Sequence, residues 1–240
     1  MKILLVADEE SKYLWDYFDE KLFKDVNFII SAGDLNAKYL SFLTTIARKR
    51  VLYVFGNHDA RYEVEPPFGC DTLDDQIIVQ DGVRILGLGG SYQYKKGPYQ
   101  YTERKMRQRV KKLETMINQF GGVDIIVTHA PPKDHGDGED LCHTGFEVFN
   151  ELITKYKPSY FLHGHQHLNY GSKTKRIQHI DKTILINGYN YHFFNYEPND
   201  YVHPTLTGFK KFLNTLKFYN KYHSTLVMKE YRKYKKESRS

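Results

Sequence analysis

Val51-Leu52-Tyr53-Val54-Phe55-Gly56-Asn57-His58-Asp59 sets five apolar residues directly against a glycine, an amide, an imidazole and a carboxylate. A short apolar run bounded by glycine has the form of a fully buried strand that opens into a polar loop. The same form recurs four times. Ile3 to Ala7 leads into Asp8-Glu9-Glu10, and Asn27 to Ala32 leads into Gly33-Asp34. Asp124 to Thr128 leads into His129-Ala130-Pro131-Pro132, and Tyr160-Phe161-Leu162 into His163-Gly164-His165-Gln166-His167. Between these runs the spacing predicts helices over Ser11 to Lys24, Asn36 to Lys49, Thr102 to Ile117 with Thr102 as N-cap, and Phe146 to Tyr156. Alternation of strand and helix predicts a largely parallel sheet, whose ligands gather outside the carboxyl ends of the strands. All five polar clusters fall at those ends.

Two hairpins interrupt the alternation. Gln76 to Gln80 turns through Asp81-Gly82 into Val83 to Leu88, and Arg176 to Ile180 turns through Asp181-Lys182 into Thr183 to Ile186. Asp-Gly is a strong hairpin signal. Antiparallel hairpins beside parallel units predict an α/β fold in which two sheets of mixed strands form a sandwich flanked by helices.

At 240 residues, with 40% hydrophobic and 27% charged residues, the chain has enough material for a large core without staples. Two cysteines, Cys70 and Cys142, give no disulfide framework and suit a reducing cytoplasm. The N-terminal apolar run is too short for an export signal, and no run is long enough to span a membrane. A cytoplasmic location is therefore expected. The net charge of +6 is concentrated at one end: residues 201 to 240 carry ten Lys or Arg against Glu230 and Glu237. In that stretch Phe209, Phe212, Leu213, Leu216 and Tyr219 recur at helical spacing. The expected division is a domain over 1–203 and a basic helical C-terminal extension over 204–240, with nucleic acid as a candidate partner for the extension.

Taken singly, each cluster has an ordinary explanation, since Asp and Asn are common turn residues and a lone histidine more often satisfies a hydrogen bond than binds a metal. Five clusters at one end of neighbouring strands are different. Together they supply carboxylates, an amide oxygen and imidazoles, a donor set suited to two divalent ions held close together. Other catalytic signatures are missing: there is no Gly-x-Ser-x-Gly elbow, no Walker A loop and no complete dinucleotide fingerprint at Gly87-Leu88-Gly89-Gly90.

In order and spacing these clusters resemble the calcineurin-like metallophosphoesterases, whose motifs run D-x-H, G-D, G-N-H-D/E, a lone H and G-H-x-H. The resemblance covers about residues 1 to 190 and implies a four-layer α/β/β/α architecture. It also implies a dinuclear phosphoesterase in which a metal-bridging hydroxide attacks phosphorus. By position, one ion falls to Asp8, Asp34 and His167 with residue 10, and the other to Asp34, Asn57, His129 and His165, so that Asp34 bridges the pair. His58 takes the role of a residue facing substrate, able to protonate the departing alkoxide, with Asp59 orienting it. General acid catalysis of this kind contributes roughly a hundredfold to ten-thousandfold.

The departure from the family is Glu10, where histidine is usual. Strand alternation can aim Asp8 and Glu10 to the same side, which makes a carboxylate ligand geometrically feasible. Such a ligand leaves the site one charge less positive than histidine would and favours manganese or iron, with zinc also compatible. Alternatively Glu10 turns away toward the following helix and leaves that ion weakly held. Arg61 and His143 are candidates to bind substrate, and His135 and Asp137 to line its pocket. His163 is expected to support the ligands from behind. The tyrosine-rich segment Ser91 to Tyr101 can cover a small phosphorylated substrate such as a nucleotide. The leading reading is a phosphodiesterase rather than a monoesterase. A catalytically weak metal-binding scaffold and a nuclease aided by the basic tail are the competing readings.

Overall fold

The computed structural model describes residues 1–168 and 175–199; the extension expected over 204–240 and the boundary at 203 lie outside the described residues. In chain order the strands are β1 (Lys2–Ala7), β2 (Val26–Ser31), β3 (Val51–Tyr53), β4 (Asp71–Thr72), β5 (Gln76–Gln80), β6 (Val83–Leu88) and β7 (Ser91–Tyr92). They continue as β8 (Gln100–Tyr101), β9 (Ile125–Thr128), β10 (Tyr160–His163), β11 (Ile177–Ile180), β12 (Thr183–Asn187) and β13 (Asn190–Asn195). The helices are α1 (Lys12–Trp15), α2 (Ala37–Ala47), α3 (Glu103–Gln119) and α4 (Glu147–Tyr156), with 3-10 turns at Glu20–Phe23 and Asp59–Glu63. None of the described helices is long and apolar enough to cross a membrane.

One sheet runs β13-β1-β2-β3-β4 and the other β11-β12-β10-β9-β6-β5. Within the first, β1 to β4 are parallel and β13 pairs antiparallel to β1. In the second, β12, β10, β9 and β6 are parallel, and the edge strands β11 and β5 are antiparallel. The sandwich with outer helices is as expected. The strand pleat explains its layers, because successive side chains face opposite ways. Ile3, Leu5 and Ala7 meet Ile125, Val127 and Leu162 between the sheets. Their neighbours Leu4 and Val6 face outward onto Leu14, Tyr39, Leu40 and Leu43 of α1 and α2. On the other side Leu86, Ile126 and Phe161 pack on Met106, Val110, Phe149 and Leu152 of α3 and α4.

The expected helix over Ser11 to Lys24 is broken. It runs only to Trp15, and Asp19 caps a separate 3-10 turn by accepting from the Lys21 amide. Phe18 thereby stacks on Phe23 and meets Phe42 edge-on. Asp19 offers the backbone a local partner that competes with helix continuation. Strand β13 has no counterpart among the sequence-based expectations; its Asn-Tyr-His-Phe-Phe-Asn sequence borders the first sheet.

Between α3 and the β6 end of the second sheet lies a buried ion network. The Arg109 guanidinium donates to both Asp74 carboxylate oxygens at 2.9 and 3.0 Å, to Asp75 at 3.0 Å and to the Gly89 carbonyl at 2.6 Å. It also lies over the Tyr101 ring. Truncation strands a buried carboxylate, which typically costs about 3–5 kcal/mol. Arg109→Ala is therefore expected to lower the urea unfolding free energy by about that amount. Removing the exposed Arg50, paired with Asp71 at 2.7 Å, is expected to cost no more than about 1 kcal/mol by the same measurement.

Candidate metal centre

The site begins in the backbone. Asp8, Asp34 and His165 each leave their strand in the left-handed region, with φ of 66°, 57° and 68°. Such a conformation costs a non-glycine residue on the order of 1–3 kcal/mol and persists where the surroundings over-determine it. Here they do. The Asp8 amide donates to the Gly33 carbonyl at 3.1 Å, and the His165 amide donates to both Asp8 carboxylate oxygens at 2.9 Å. Asp59 is buried and its Oδ2 accepts from the amides of Asp34 at 2.9 Å and Gly56 at 2.7 Å. The Tyr62 hydroxyl donates to the Leu35 carbonyl at 2.5 Å. Gly56 has to lack a side chain, because a Cβ there would stand 2.0 Å from Asp34 Oδ1.

Four donor atoms converge on one point. His129 Nε2 lies 3.3 Å from Asp34 Oδ2, 3.1 Å from Asn57 Oδ1 and 3.1 Å from His165 Nδ1. The far nitrogen of each imidazole is already engaged: His129 Nδ1 donates to the Ala32 carbonyl at 2.8 Å, and His165 Nε2 donates to the Cys142 carbonyl at 2.7 Å. A carbonyl can only accept, so it fixes the tautomer and turns the other nitrogen's lone pair inward, the usual arrangement of a metal-ligating histidine. Two inward lone pairs 3.1 Å apart need a cation or a proton between them. Burial pushes the His129 imidazole down, but Asp34 beside it outweighs that and raises it to about 9. Burial pushes the Asp34 carboxyl up, and His129 with the His58 amide reverses this to about 2. Burial and the neighbouring His129 lower His165 to about 3. Asp34, His129 and His165 bring their ligand atoms within 4.8 Å of one another and are the residues that could hold a divalent ion, with Asn57 Oδ1 beside His129.

Asp8 and His167, expected to share Asp34 in a second metal position, are not gathered with it into a close ligand group among the described residues. Asp8, Asp34 and His167 line one cavity of about 480 Å³ together with Asn57, His58, Tyr94, Cys142, His143 and His165. Burial raises the Asp8 carboxyl to about 7, which reflects a carboxylate poorly compensated by the protein alone. His167 packs its ring on Tyr189 at 4.8 Å.

Glu10 is not brought to this group. Its Oε1 accepts from the Asn36 amide at 2.9 Å, just before α2, and it borders a neighbouring cavity. Glu10 does not continue the strand alternation, because β1 ends at Ala7 and the left-handed Asp8 breaks the pleat. Asp59 also differs from expectation: it accepts backbone amides from the Asp34 and Gly56 loops rather than holding the His58 ring. His58 itself is exposed, its amide donating to Asp34 Oδ1 at 2.8 Å. His58 and Asp34 also border the neighbouring cavity of about 430 Å³, which Arg61 and Lys38 line.

His143 lies on the ligand side of the site, its ring 5.3 Å from that of His165, and Asp140 accepts from its Nδ1 at 2.8 Å. The sequence signal for that pairing is an acid three residues before a histidine, a spacing outside the five strand-end clusters. Asp137 instead braces its loop, accepting from the Gly145 amide and Lys133. His163 is buried behind the ligands, where burial lowers it to about 4. His135 belongs to the same loop, its amide bonded to the Pro132 carbonyl. Tyr94 of the tyrosine-rich segment accepts from Asn57 Nδ2 at 3.4 Å. The carbonyls of Ala32 and Cys142, which orient two ligands, have no sequence signature because any residue supplies one.

Residues 1–169 match the family model described as calcineurin-like phosphoesterase. An uncharacterized protein of Haemophilus influenzae is 24% identical over 205 residues, covering 72% of this chain and 86% of that protein. The lariat debranching enzyme of Schizosaccharomyces pombe is 26% identical over 153 residues, covering 50% of this chain and 33% of that enzyme. Among solved structures, TT1561 of Thermus thermophilus shares the fold with a TM-score of 0.54 at 16% identity, over 79% of this chain and 89% of that one.

Gly56→Ala is expected to displace the Asp34 carboxylate and lower manganese affinity at least tenfold, read by calorimetric titration. Asp59→Ala is expected to weaken manganese binding about 10- to 100-fold, the usual effect of removing a group that orients ligands. Asp59→Asn, which keeps one acceptor oxygen, should weaken it less.

Proposed function

We propose that this chain, which belongs to the calcineurin-like phosphoesterase family, hydrolyses phosphodiesters with the aid of two divalent ions held unequally about Asp34. Members of the family are phosphoesterases that generally bind two divalent metals, and candidate ligand groups are present here. The observation that carries the proposal is the meeting of Asp34, Asn57, His129 and His165 where two cavities adjoin, with His58 bordering both. A phosphoryl group seated at Asp34 and His58 has room for a substituent on either side, which favours a diester over a monoester.

When bound, the ions neutralise charge on the phosphoryl oxygens and supply a water acidified toward neutral pH. The protein's own groups do the rest. Asp34, which borders both cavities, would offset the repulsion between two ions with its charge. His58, exposed at the junction, delivers a proton to the departing oxygen. Arg61 and Lys38 contact anionic groups of one substituent, while His143 and Tyr94 contact the other. Asp34, His129 and His165 gather their ligand atoms closely with Asn57 Oδ1 beside them, whereas Asp8 and His167 border the same cavity without joining such a group among the described residues. One ion is therefore held tightly and the other weakly. The oxygen and nitrogen donors favour manganese or iron over thiophilic ions. The displacement of Glu10 is what supports the rival reading of a weak catalyst that serves as a metal-binding scaffold.

Metal-stripped protein with manganese restored is expected to hydrolyse an aryl phosphodiester, and chelation to stop it. His58→Ala should lower kcat about a hundredfold to ten-thousandfold while metal content is unchanged. Titration should show two manganese ions of unequal affinity, with His167→Ala losing the weaker alone. Turnover indifferent to chelator contradicts the phosphoesterase reading, and metal binding without turnover favours the scaffold.

A further inference from the structure

Beside the cavity, the turn Asp140-Leu141-Cys142-His143 gathers a carboxylate, a thiol and an imidazole whose ligand atoms all lie within 4.8 Å of one another. These donors belong to a loop whose Cys142 carbonyl orients His165 and whose His143 ring borders the substrate cavity. The turn is held in shape by several bonds. The His143 amide donates to the Asp140 carboxylate at 2.9 Å, and the Thr144 hydroxyl donates to the Asp140 carbonyl at 3.0 Å. The His143 carbonyl accepts from the Gly138 amide and from Gln166 Nε2, both at 2.9 Å. Gln166 is buried, and its own carbonyl accepts from Asn187 Nδ2 at 2.7 Å, so the turn is fastened to β12. Such support is what keeps a ligand set close to its working geometry.

The chemistry of this set differs from that of the neighbouring centre. Asp34, Asn57, His129 and His165 offer oxygen and nitrogen only, whereas Cys142 offers sulfur. A thiolate with an imidazole and a carboxylate suits a borderline-soft ion such as zinc, and three protein donors leave a fourth position open, here toward the cavity that Cys142 and His143 line. Cys142 is half-buried and stands at the cavity wall. The other cysteine, Cys70, has its sulfur against the Phe68 carbonyl on the far side of the first sheet, near β4, and belongs to no such group among the described residues.

We propose that Asp140, Cys142 and His143 form a third metal site, selective for a zinc-class ion and separate from the two-ion centre. The ion displaces the proton that His143 Nδ1 donates to Asp140 and the proton of the Cys142 thiol, both released to solvent, and binds Cys142 as thiolate. Because the Cys142 carbonyl orients His165, an ion at this site is mechanically linked to a ligand of the neighbouring centre.

The test uses the full chain preloaded with manganese and titrated with cobalt(II) as a spectroscopic substitute for zinc. A near-ultraviolet thiolate-to-cobalt charge-transfer band is expected, since only a cysteine ligand produces it. The band should persist in Cys70→Ser and in Asp34→Asn, and vanish in Cys142→Ser. His143→Ala should lower the cobalt affinity read from the band about tenfold or more. No band in the parent protein, a band surviving in Cys142→Ser, or unchanged affinity in His143→Ala overturns the proposal. Loss of the band in Asp34→Asn also overturns it, by placing the cobalt in the neighbouring centre. Because the readout is spectroscopic, its outcome is independent of whether the protein hydrolyses phosphodiesters.

Discussion

The Asp34 carboxylate is the group around which the site is arranged. It stands at the end of β2 in a conformation unfavourable for a non-glycine residue, and each of its atoms that matters is fixed from a different part of the chain. Its amide is held by Asp59, one oxygen receives the His58 amide, and the other faces His129 from the opposite sheet. Packing the two sheets face to face places their carboxyl ends side by side, so that β9 and β10 deliver imidazoles to the loops of β1, β2 and β3. The Ala32 carbonyl on one sheet and the His129 ring on the other complete that junction. Without the sandwich, carboxylates and histidines would occupy separate surfaces.

The protein alone resolves the electrostatics of this junction imperfectly. Asp34 and His129 satisfy each other as an ion pair, while Asp8 is left as a buried carboxyl raised toward neutrality. Asp59 is raised to about 7 by burial in the same way, although it serves the Asp34 and Gly56 amides. In the Arg109 network the carboxylates of Asp74 and Asp75 meet a guanidinium within the chain, although burial still raises Asp74.

Much of this is legible from local pattern. The five strand-to-cluster transitions, the Asp81-Gly82 hairpin and the Thr102 cap depend on nearest neighbours, and the structure has each of them. What escapes the sequence depends on backbone direction or on distant partners. Extrapolating a strand beyond Ala7 misplaces Glu10, because the turn at Asp8 redirects it to the start of α2. Asp59 reads as a partner for the adjacent histidine, yet the amides it serves lie 25 and 3 residues away in the chain. The end of α1 is hidden because Asp19 recruits a neighbouring amide, a local competition that apolar spacing does not reveal. The orienting carbonyls of Ala32 and Cys142 are invisible in any sequence.

The most direct measurement of the central claim is an anomalous-difference map from crystals equilibrated with manganese. A strong peak is expected among Asp34 Oδ2, Asn57 Oδ1, His129 Nε2 and His165 Nδ1, with a weaker one between Asp34, Asp8 and His167. Full manganese loading with no peak bound to Asp34 would contradict that claim.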